Sequence, residues 1–298
     1  MLVNTYKSSL SLFVTDALLL TKARLTLSVV FSSVAGYLLA APSPNILHIL
    51  LLSVGGYGFA GASNAFNQII EKEIDAKMKR TQNRPIPSGR MSVQMAFAIA
   101  LSLLILGLVV LYSFNPKTAM FGAISVFLYT CAYTPLKTIT PLSVFVGAIP
   151  GAIPVMLGWV AATNKFGLAV GILFAIQFLW QFPHFISISW IRDKEYKKAG
   201  FKMMYGDKKG SYPAYIALIC SIFMTAVSVL PYFLDLKILD LSIISFLIIL
   251  LLGIWFTKNS FLLLKNLSDE SAKKLMLSSL VYLPLMQIIY VFDKWFVI

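Results

Sequence analysis

The stretch NAFNQIIEKEIDAKMKRTQNRPIPSGR, residues 64–90, begins inside one long apolar run, residues 46–70, and ends just before another, residues 92–113. An α-helix needs about 20 mostly apolar residues to cross a bilayer, so the two runs predict membrane spans joined by a polar loop. Four polar residues recur at helical spacing in this stretch: Asn64, Asn67, Glu71 and Asp75. At about 100° per residue they fall within a roughly 80° arc if the first span continues through them.

These oxygen donors are followed directly by cations. The basic residues that come after the stripe are Lys77, Lys79, Arg80, Arg84 and Arg90. Carboxylate and amide oxygens suit a hard divalent metal, and Lys and Arg side chains neutralise phosphate oxygens. The pattern therefore indicates a metal site that holds a phosphorylated ligand. A basic loop that only sets membrane topology is the alternative, but it leaves the polar stripe and the proline-containing segment Asn83–Pro87 unexplained.

The composition of the whole chain indicates a membrane protein. Its 298 residues are 58% hydrophobic and 12% charged, whereas a soluble domain is about 25% charged. The net charge of +13 would also suit nucleic acid, but the cations cluster at the ends of apolar runs, as in proteins that follow the positive-inside rule. We therefore expect a lipid bilayer and no nucleic acid as partner. Cys131 and Cys220 lie in apolar stretches and are expected to be packing residues.

Nine apolar stretches are long enough to span a membrane, and we predict one all-α polytopic domain over residues 1–298. The predicted spans are residues 25–41, 46–70, 92–113, 117–134, 141–162, 166–190, 213–234, 239–257 and 273–296. With the N-terminus in the cytoplasm, the Lys and Arg residues outside are only Lys117, Lys165, Lys237 and Lys294. This asymmetry follows the positive-inside rule and predicts an outside C-terminus.

Two of the predicted spans carry further signals. Residues 147–159 read GAIPGAIPVMLGW, and prolines inside a membrane helix are tolerated where it is buried or lines a cavity, although a plain kink explains them equally well. The span at 166–190 has a polar stripe of Gln177, Gln181, His184 and Ser187. Such residues usually face the bundle interior. His184 could ligate iron, move a proton or simply bond to Gln181.

A second loop repeats the mixture of acids and bases. Residues 191–213 read IRDKEYKKAGFKMMYGDKKGSYP, with Asp193 and Lys197 on one helical face. Both loops follow an even-numbered span, so we expect them to open on the same side and to share one metal–phosphate unit. Lys22, Arg24 and Lys137 can add to that anion site, although each alone also fits a topology charge.

The motif N-x-x-x-E-x-x-x-D from Asn67 to Asp75, followed by MKRTQNRPIPSGR, resembles the first signature of the UbiA-type intramembrane prenyltransferases. Four further segments resemble the heme-modifying branch of that family: YTPLKTITP (133–141), GAIPGAIPVMLGW (147–159), FLWQFPHF (178–185) and RDKEYKKAGFKMM (192–204). Glu71 stands where the family more often has Asp. Lys197 stands where quinone-type relatives have a second Asp, which weakens that assignment.

The resemblance implies a nine-helix UbiA-like bundle around a central cavity, in the bacterial cytoplasmic (inner) membrane with its active-site mouth on the cytoplasmic side. It also implies Mg²⁺-dependent transfer of the farnesyl group of farnesyl diphosphate to a vinyl group of heme B, with addition of water, giving heme O and diphosphate. Heme O then serves heme A synthase or terminal oxidase assembly. The rival interpretations are prenylation of an aromatic quinone precursor and, more distantly, a transporter.

On this resemblance each candidate residue has an expected role. The catalytic, metal-holding set is Asn67, Glu71, Asp75 and Asp193. The diphosphate-binding set is Arg24, Lys79, Arg80, Arg84, Lys137 and Lys197. The rings expected to shield a prenyl cation are Tyr133, Tyr196 and Trp180, and His184 is expected to bind heme.

Overall fold

The computed structural model describes residues 9–206, 208–234, 236 and 238–297, and these contain helices and no β-strand. The predicted outer cation Lys237 lies outside the described residues. The helices are α1 (Ser9–Leu20), α2 (Ala23–Ala40), α3 (Ile46–Ile70), α4 (Lys72–Asp75), α5 (Val93–Tyr112), α6 (Pro116–Phe127), α7 (Thr134–Leu136), α8 (Ser143–Thr163), α9 (Leu168–Ile191), α10 (Asp193–Ala199), α11 (Ser211–Val229), α12 (Ile243–Asn266) and α13 (Asp269–Phe296). A π-helical segment, Leu128–Tyr133, joins α6 to α7.

The predicted count of membrane spans is confirmed. Nine helices within the described ranges are long and apolar enough to cross a bilayer, and they correspond in order to the nine predicted runs. The span made by α6, the π-helical segment and α7 is continuous from Pro116 to Leu136.

The two last spans differ from the prediction, and α12 also begins at Ile243 and not at residue 239. Helix α12 continues past residue 257 to Asn266, because Lys258 and Lys265 are exposed on it and do not end it. Helix α13 begins at Asp269 and not at residue 273, because the Ser268 side chain accepts a hydrogen bond from Ser271 N and caps it. Lys258 and Lys265 therefore lie on α12, and Lys273 and Lys274 lie on α13, and none of them is in a loop.

Glycine brings α2 and α8 into direct backbone contact. A Cβ placed on Gly158 would lie 1.7 Å from Ser33 O, and one on Gly36 would lie 1.9 Å from Val155 O. Gly58 plays the same part between α3 and α5, where its Cβ would lie 2.7 Å from Leu103 O. Close approach of this kind supports helix association where lipid gives no hydrophobic drive.

Helix α8 runs through its prolines without interruption. Pro154 has no N–H for the carbonyl one turn back, and Ser125 Oγ donates to that carbonyl, Pro150 O, at 3.3 Å. Gln181 Nε2 donates to Ala148 O at 2.8 Å, and Gln177 Nε2 donates to Gly151 O at 3.0 Å. Part of the polar stripe on α9 therefore holds α8 in place.

Candidate active site

The polar stripe of Asn67, Glu71 and Asp75 continues across a break in the helix. Helix α3 ends at Ile70, and Glu71 leaves helical geometry with φ −90° and ψ 9° before the short α4 begins. The helix that was the condition for the narrow arc is therefore interrupted, while the predicted end of the span at residue 70 is confirmed. The register is kept because Glu71 N donates to Asn67 O at 3.0 Å and Asp75 N donates to Glu71 O at 2.7 Å. The side chains of Asn67, Glu71 and Asp75 are all buried.

Each carboxylate of the stripe is paired with a buried or half-buried cation. Arg84 Nη1 donates to Asp75 Oδ2 at 2.6 Å. Lys137, which follows α7, is ion-paired with Glu71 Oε1. Burial lowers the pKa of Lys137, while the Glu71 carboxylate opposes that change. The predicted cations Arg84 and Lys137 thus lie at the stripe.

A third cation reaches the stripe from the turn between α1 and α2. Lys22 adopts a left-handed backbone, φ 48° and ψ 54°, and its Nζ donates to Asn67 Oδ1 at 2.9 Å. Asn67 Nδ2 in turn donates to Thr134 Oγ1 at 3.2 Å. Burial, together with the charges of Arg84 and Lys137, lowers the pKa of Lys22 to about 7. Five ionisable groups therefore share one buried cluster: Lys22, Arg84, Lys137, Glu71 and Asp75.

The other predicted phosphate-binding cations lie further out. Arg24, Lys79 and Arg80 are exposed, and Lys197 is exposed while paired with Asp193 at 3.0 Å. The sequence offered both Lys22 and Arg24 for the anion site, and the structure brings Lys22 to Asn67. Asn64, at the start of the stripe, donates from Nδ2 to Thr26 Oγ1 at 3.1 Å and so faces α2.

The second loop contacts both the first loop and the turn after α7. Arg80 N donates to Glu195 Oε1 at 3.3 Å, and Lys202 N donates to Lys137 O at 2.7 Å. Asp193 lines a cavity of about 100 Å³ beside this junction, together with Tyr196 and Lys202. The two acid-and-base loops therefore meet at one end of the bundle.

Aromatic side chains cover the ion pair of Lys137. Its Nζ lies 4.9 Å from the centroid of the Tyr133 ring and 5.2 Å from that of Phe201. The Tyr196 ring lies 5.5 Å from Phe201, so two of the three predicted shielding rings are here. Burial raises the pKa of Tyr196, which keeps it a neutral phenol at neutral pH.

Trp180 lies with His184 at the contact between α9 and α13. The two rings are stacked with centroids 4.7 Å apart, and Trp180 Nε1 donates to Ser279 O at 2.9 Å. His184 Nδ1 lies 2.7 Å from Ser279 Oγ, and that hydroxyl donates its one proton to Met276 O at 2.6 Å. Nδ1 is then the donor to Ser279, which leaves the Nε2 lone pair for another partner. The alternative bond from His184 to Gln181 is not the one formed.

The stripe fits a magnesium ion that is completed by its ligand. In the described ranges no three His, Cys, Asp or Glu side chains lie close enough together to hold a metal ion. Magnesium is commonly held by one or two carboxylates, with water and substrate phosphates completing its shell. Asp75 Oδ1 is buried without a hydrogen-bond partner among these residues. An acceptor left in that state is costly unless a cation or donor reaches it, so the donor set suits this ion.

Two residues of the site were not assigned from sequence, and a third, Lys22, was assigned only as one of several cations that can add to the anion site. Thr134 and Ser279 are small hydroxyl residues in apolar spans, where nothing distinguishes them from packing serines and threonines. Lys22 was noticed only as one of two cations before the first span. Its left-handed backbone turns it toward Asn67, and a lysine in that conformation cannot be recognised from sequence as a glycine could.

Comparisons with known proteins place the chain in a defined group. A model described as the UbiA prenyltransferase family matches residues 29–282. A protoheme IX farnesyltransferase of Flavobacterium psychrophilum is 55% identical over 296 residues, which cover 98% of this chain and 98% of that protein.

Two solved structures share the arrangement of helices. Digeranylgeranylglyceryl phosphate synthase has a TM-score of 0.79 at 24% sequence identity, covering 94% of this chain and 98% of that chain. A UbiA homolog from Archaeoglobus fulgidus, bound to DMAPP and Mg²⁺, has a TM-score of 0.67 at 14% identity, covering 93% of this chain and 99% of that chain. At these identities the likeness shows the fold alone.

Proposed function

The chain belongs to the UbiA prenyltransferase family, and on that premise we propose that it transfers a farnesyl group from farnesyl diphosphate to a vinyl group of heme B. Water adds at the same vinyl group, and the products are heme O and diphosphate. The choice of heme is supported by the relative that is 55% identical over nearly the full length of both chains. The carrying observation is the buried cluster of two carboxylates and three cations at the end of α3.

Magnesium would be held by Asn67, Glu71 and Asp75. Asp193 would join them only on an inward movement of the second loop, because no three acidic side chains in the described ranges lie close enough to hold one ion. When bound, the ion supplies positive charge that neutralises the diphosphate oxygens. Asp75 Oδ1 is the oxygen most available to the ion, since it is buried and has no hydrogen-bond partner among the described residues. The Asn67 side-chain amide is held between Lys22 and Thr134, and its oxygen accepts from Lys22.

The cations of the cluster would hold the leaving group. Lys22, Arg84 and Lys137 are fixed beside the stripe before any ligand arrives, and preorganised charge aimed at a developing anion is usually the largest catalytic contribution. The exposed Arg24, Lys79, Arg80 and Lys197 would guide the diphosphate at the rim. Stabilising diphosphate as it departs makes cleavage of the C–O bond to the farnesyl carbon easier.

Aromatic faces would protect the allylic cation that remains. Tyr133 already lies against the Nζ of Lys137, so its ring can accept a cation over its face. Tyr196 stays a neutral phenol because burial raises its pKa, and a neutral phenol is a much weaker competing nucleophile than a phenolate. Trp180 stacks on His184 and would therefore lie beside the heme, away from the diphosphate.

His184 would contact the heme. The hydrogen bond to Ser279 makes Nδ1 the donor, so Nε2 offers a lone pair and not a proton. A lone pair suits the heme iron, whereas a propionate would require a donor. The contact with α13 therefore favours iron over propionate as the group that His184 holds.

The distribution of Lys and Arg supports a cytoplasmic N-terminus and a site that opens to the cytoplasm. In a bacterium the enzyme would lie in the inner membrane, and its product would pass to heme A synthase or to terminal oxidase assembly.

Purified protein in bilayers, supplied with farnesyl diphosphate, heme B and Mg²⁺, tests this function. We expect a heme heavier by one farnesyl group and one hydroxyl, and release of diphosphate. Glu71→Gln should abolish both, while Glu73→Gln, which changes an exposed residue two positions away, should leave them unchanged. Diphosphate release only with an aromatic quinone precursor would replace heme as the acceptor, and no release with either acceptor would favour the transporter.

A further inference from the structure

Helix α1 is too short to cross a bilayer. It has twelve residues, SLSLFVTDALLL, and a helix of that size is about 18 Å long, compared with about 30 Å for the hydrocarbon core. It precedes the first span and was not among the predicted helices.

One narrow stripe of α1 is bound to the bundle. Arg90 donates to Asp16 from Nε at 3.1 Å and from Nη2 at 2.9 Å. Gln68 Nε2 donates to Leu19 O at 2.9 Å and to Leu20 O at 2.8 Å, which satisfies carbonyls at the end of the helix. The stripe therefore consists of the Asp16 side chain and the carbonyls at the end of the helix.

These contacts fix the depth of α1 relative to the spans. Leu20 is fully buried in a cluster with Ala65 of α3 and with Ala96 and Ala100 in the first two turns of α5. Asp16, one turn earlier, meets Arg90, which lies before α5 begins. The helix thus descends from the level of the polar loop to the level of the apolar spans.

The opposite face of α1 is apolar and exposed. Leu10, Val14 and Leu18, four residues apart, are 72%, 48% and 49% exposed. Thr15 Oγ1 donates to Ser11 O at 2.8 Å, so this hydroxyl beside the stripe is satisfied within the helix. Beyond the turn at Lys22 the exposed surface continues to Leu27 of α2, which is 57% exposed on a membrane span.

We propose that α1 is inserted in the membrane interface, with Leu10, Val14 and Leu18 among the acyl chains of the leaflet nearest the site. The bilayer is the occupant that fits, because the face continues the lipid-facing surface of α2 and its end lies at the depth of α5. The Asp16–Arg90 pair lies at the headgroup level.

Insertion would also hold the site together. Thr21 is buried, and its Oγ1 lies 2.9 Å from Tyr57 OH. Lys22 is the next residue, and its side chain donates to Asn67. Gln68, which binds the end of α1, is the next residue after Asn67. A helix anchored in lipid therefore fixes the turn that presents Lys22.

Site-directed spin labelling in liposomes of phosphatidylethanolamine and phosphatidylglycerol tests this inference. Single cysteines at Val14 and Leu18 would be labelled in a Cys131→Ser, Cys220→Ser chain, with Leu27→Cys as the lipid-facing control and Gln82→Cys, in the exposed polar loop, as the aqueous control. Relaxation by oxygen and by an aqueous nickel chelate then reports the surroundings of each label. We expect Val14 and Leu18 to match Leu27.

Labels at Val14 and Leu18 that match Gln82 would overturn the inference by placing the helix in water. Labels shielded from both reagents would also overturn it, since the face would then be covered by protein. Dipolar broadening in that case would identify a second copy of this chain, and its absence would identify another segment. The four labelled positions are exposed, so the label leaves the buried packing intact.

Discussion

Arg84 Nη1 lies 2.6 Å from Asp75 Oδ2, in a cluster where Lys137 is paired with Glu71. The groups proposed to bind metal and the groups proposed to bind diphosphate are thus bound to each other. Metal alone must compete with cations for the carboxylates, and diphosphate alone must approach those carboxylates. When both bind, each carboxylate and each cation gains a new partner.

Metal and diphosphate should therefore bind with positive coupling. We expect pyrophosphate to increase the affinity for Mn²⁺ by a factor of about 5–150, the usual range for coupled sites. Titration of Mn²⁺ followed by its paramagnetic resonance, with and without pyrophosphate, measures the factor. Equal affinity in both titrations would contradict the exchange of partners.

Lys137→Met should destabilise the protein, because Glu71 would remain buried without its ion pair. Breaking a buried pair from one side costs about 3–5 kcal/mol, and the nearby Lys22 and Arg84 place the expectation at the lower end. The unfolding midpoint in mild detergent measures it. Adding Glu71→Gln should restore most of the stability but no turnover, and Lys72→Met, from an exposed pair, should leave the midpoint unchanged.

Gly158→Ala should separate α2 from α8. The new methyl group would lie 1.7 Å from Ser33 O, a contact that only a backbone shift can relieve, and overpacking of this kind costs about 1–3 kcal/mol. A lower thermal midpoint is expected. Gly171→Ala on α9 is the matched control, since a Cβ there has no atom within 4 Å among the described residues; a similar loss in both variants would refute close packing as the cause.

Ser279→Ala should weaken heme binding without affecting the diphosphate site. It removes the hydroxyl that fixes the His184 ring, a hydrogen bond worth about 0.5–1.5 kcal/mol, which corresponds to a loss of affinity of up to roughly tenfold. Heme titration by absorbance measures this effect, and the Soret band should shift with it. Ser278→Ala is the control, because Ser278 Oγ donates to Leu275 O and not to His184. Unchanged heme binding in Ser279→Ala would remove His184 from the heme site.

The sequence predicted the spans well because twenty-residue apolar runs have few alternatives in a chain of this composition. It failed where charges stood for helix ends, as at Lys258 and Lys265, and at α1, whose twelve residues are too few to be recognised as a span. The spacing from Asn67 to Asp75 predicted that these side chains share one face, and they are all buried in a continuous register because helical hydrogen bonds persist across the break at Glu71.

The partners of that stripe could not be predicted in the same way. Lys137 and Lys22 come from turns distant in sequence, and their approach depends on how α2, α3 and α7 pack. Lys22 and Arg24 are both cations before the first span, and only the left-handed turn at Lys22 decides which of them reaches Asn67.

The bond from Lys202 N to Lys137 O connects the loop after α9 to the turn after α7 through main-chain atoms alone. Any residue except proline at position 202 supplies the same donor, so the side chain there can vary during evolution without loosening the entrance. Substrate preference at the rim is therefore free to drift while the carboxylates proposed to hold the metal keep their geometry.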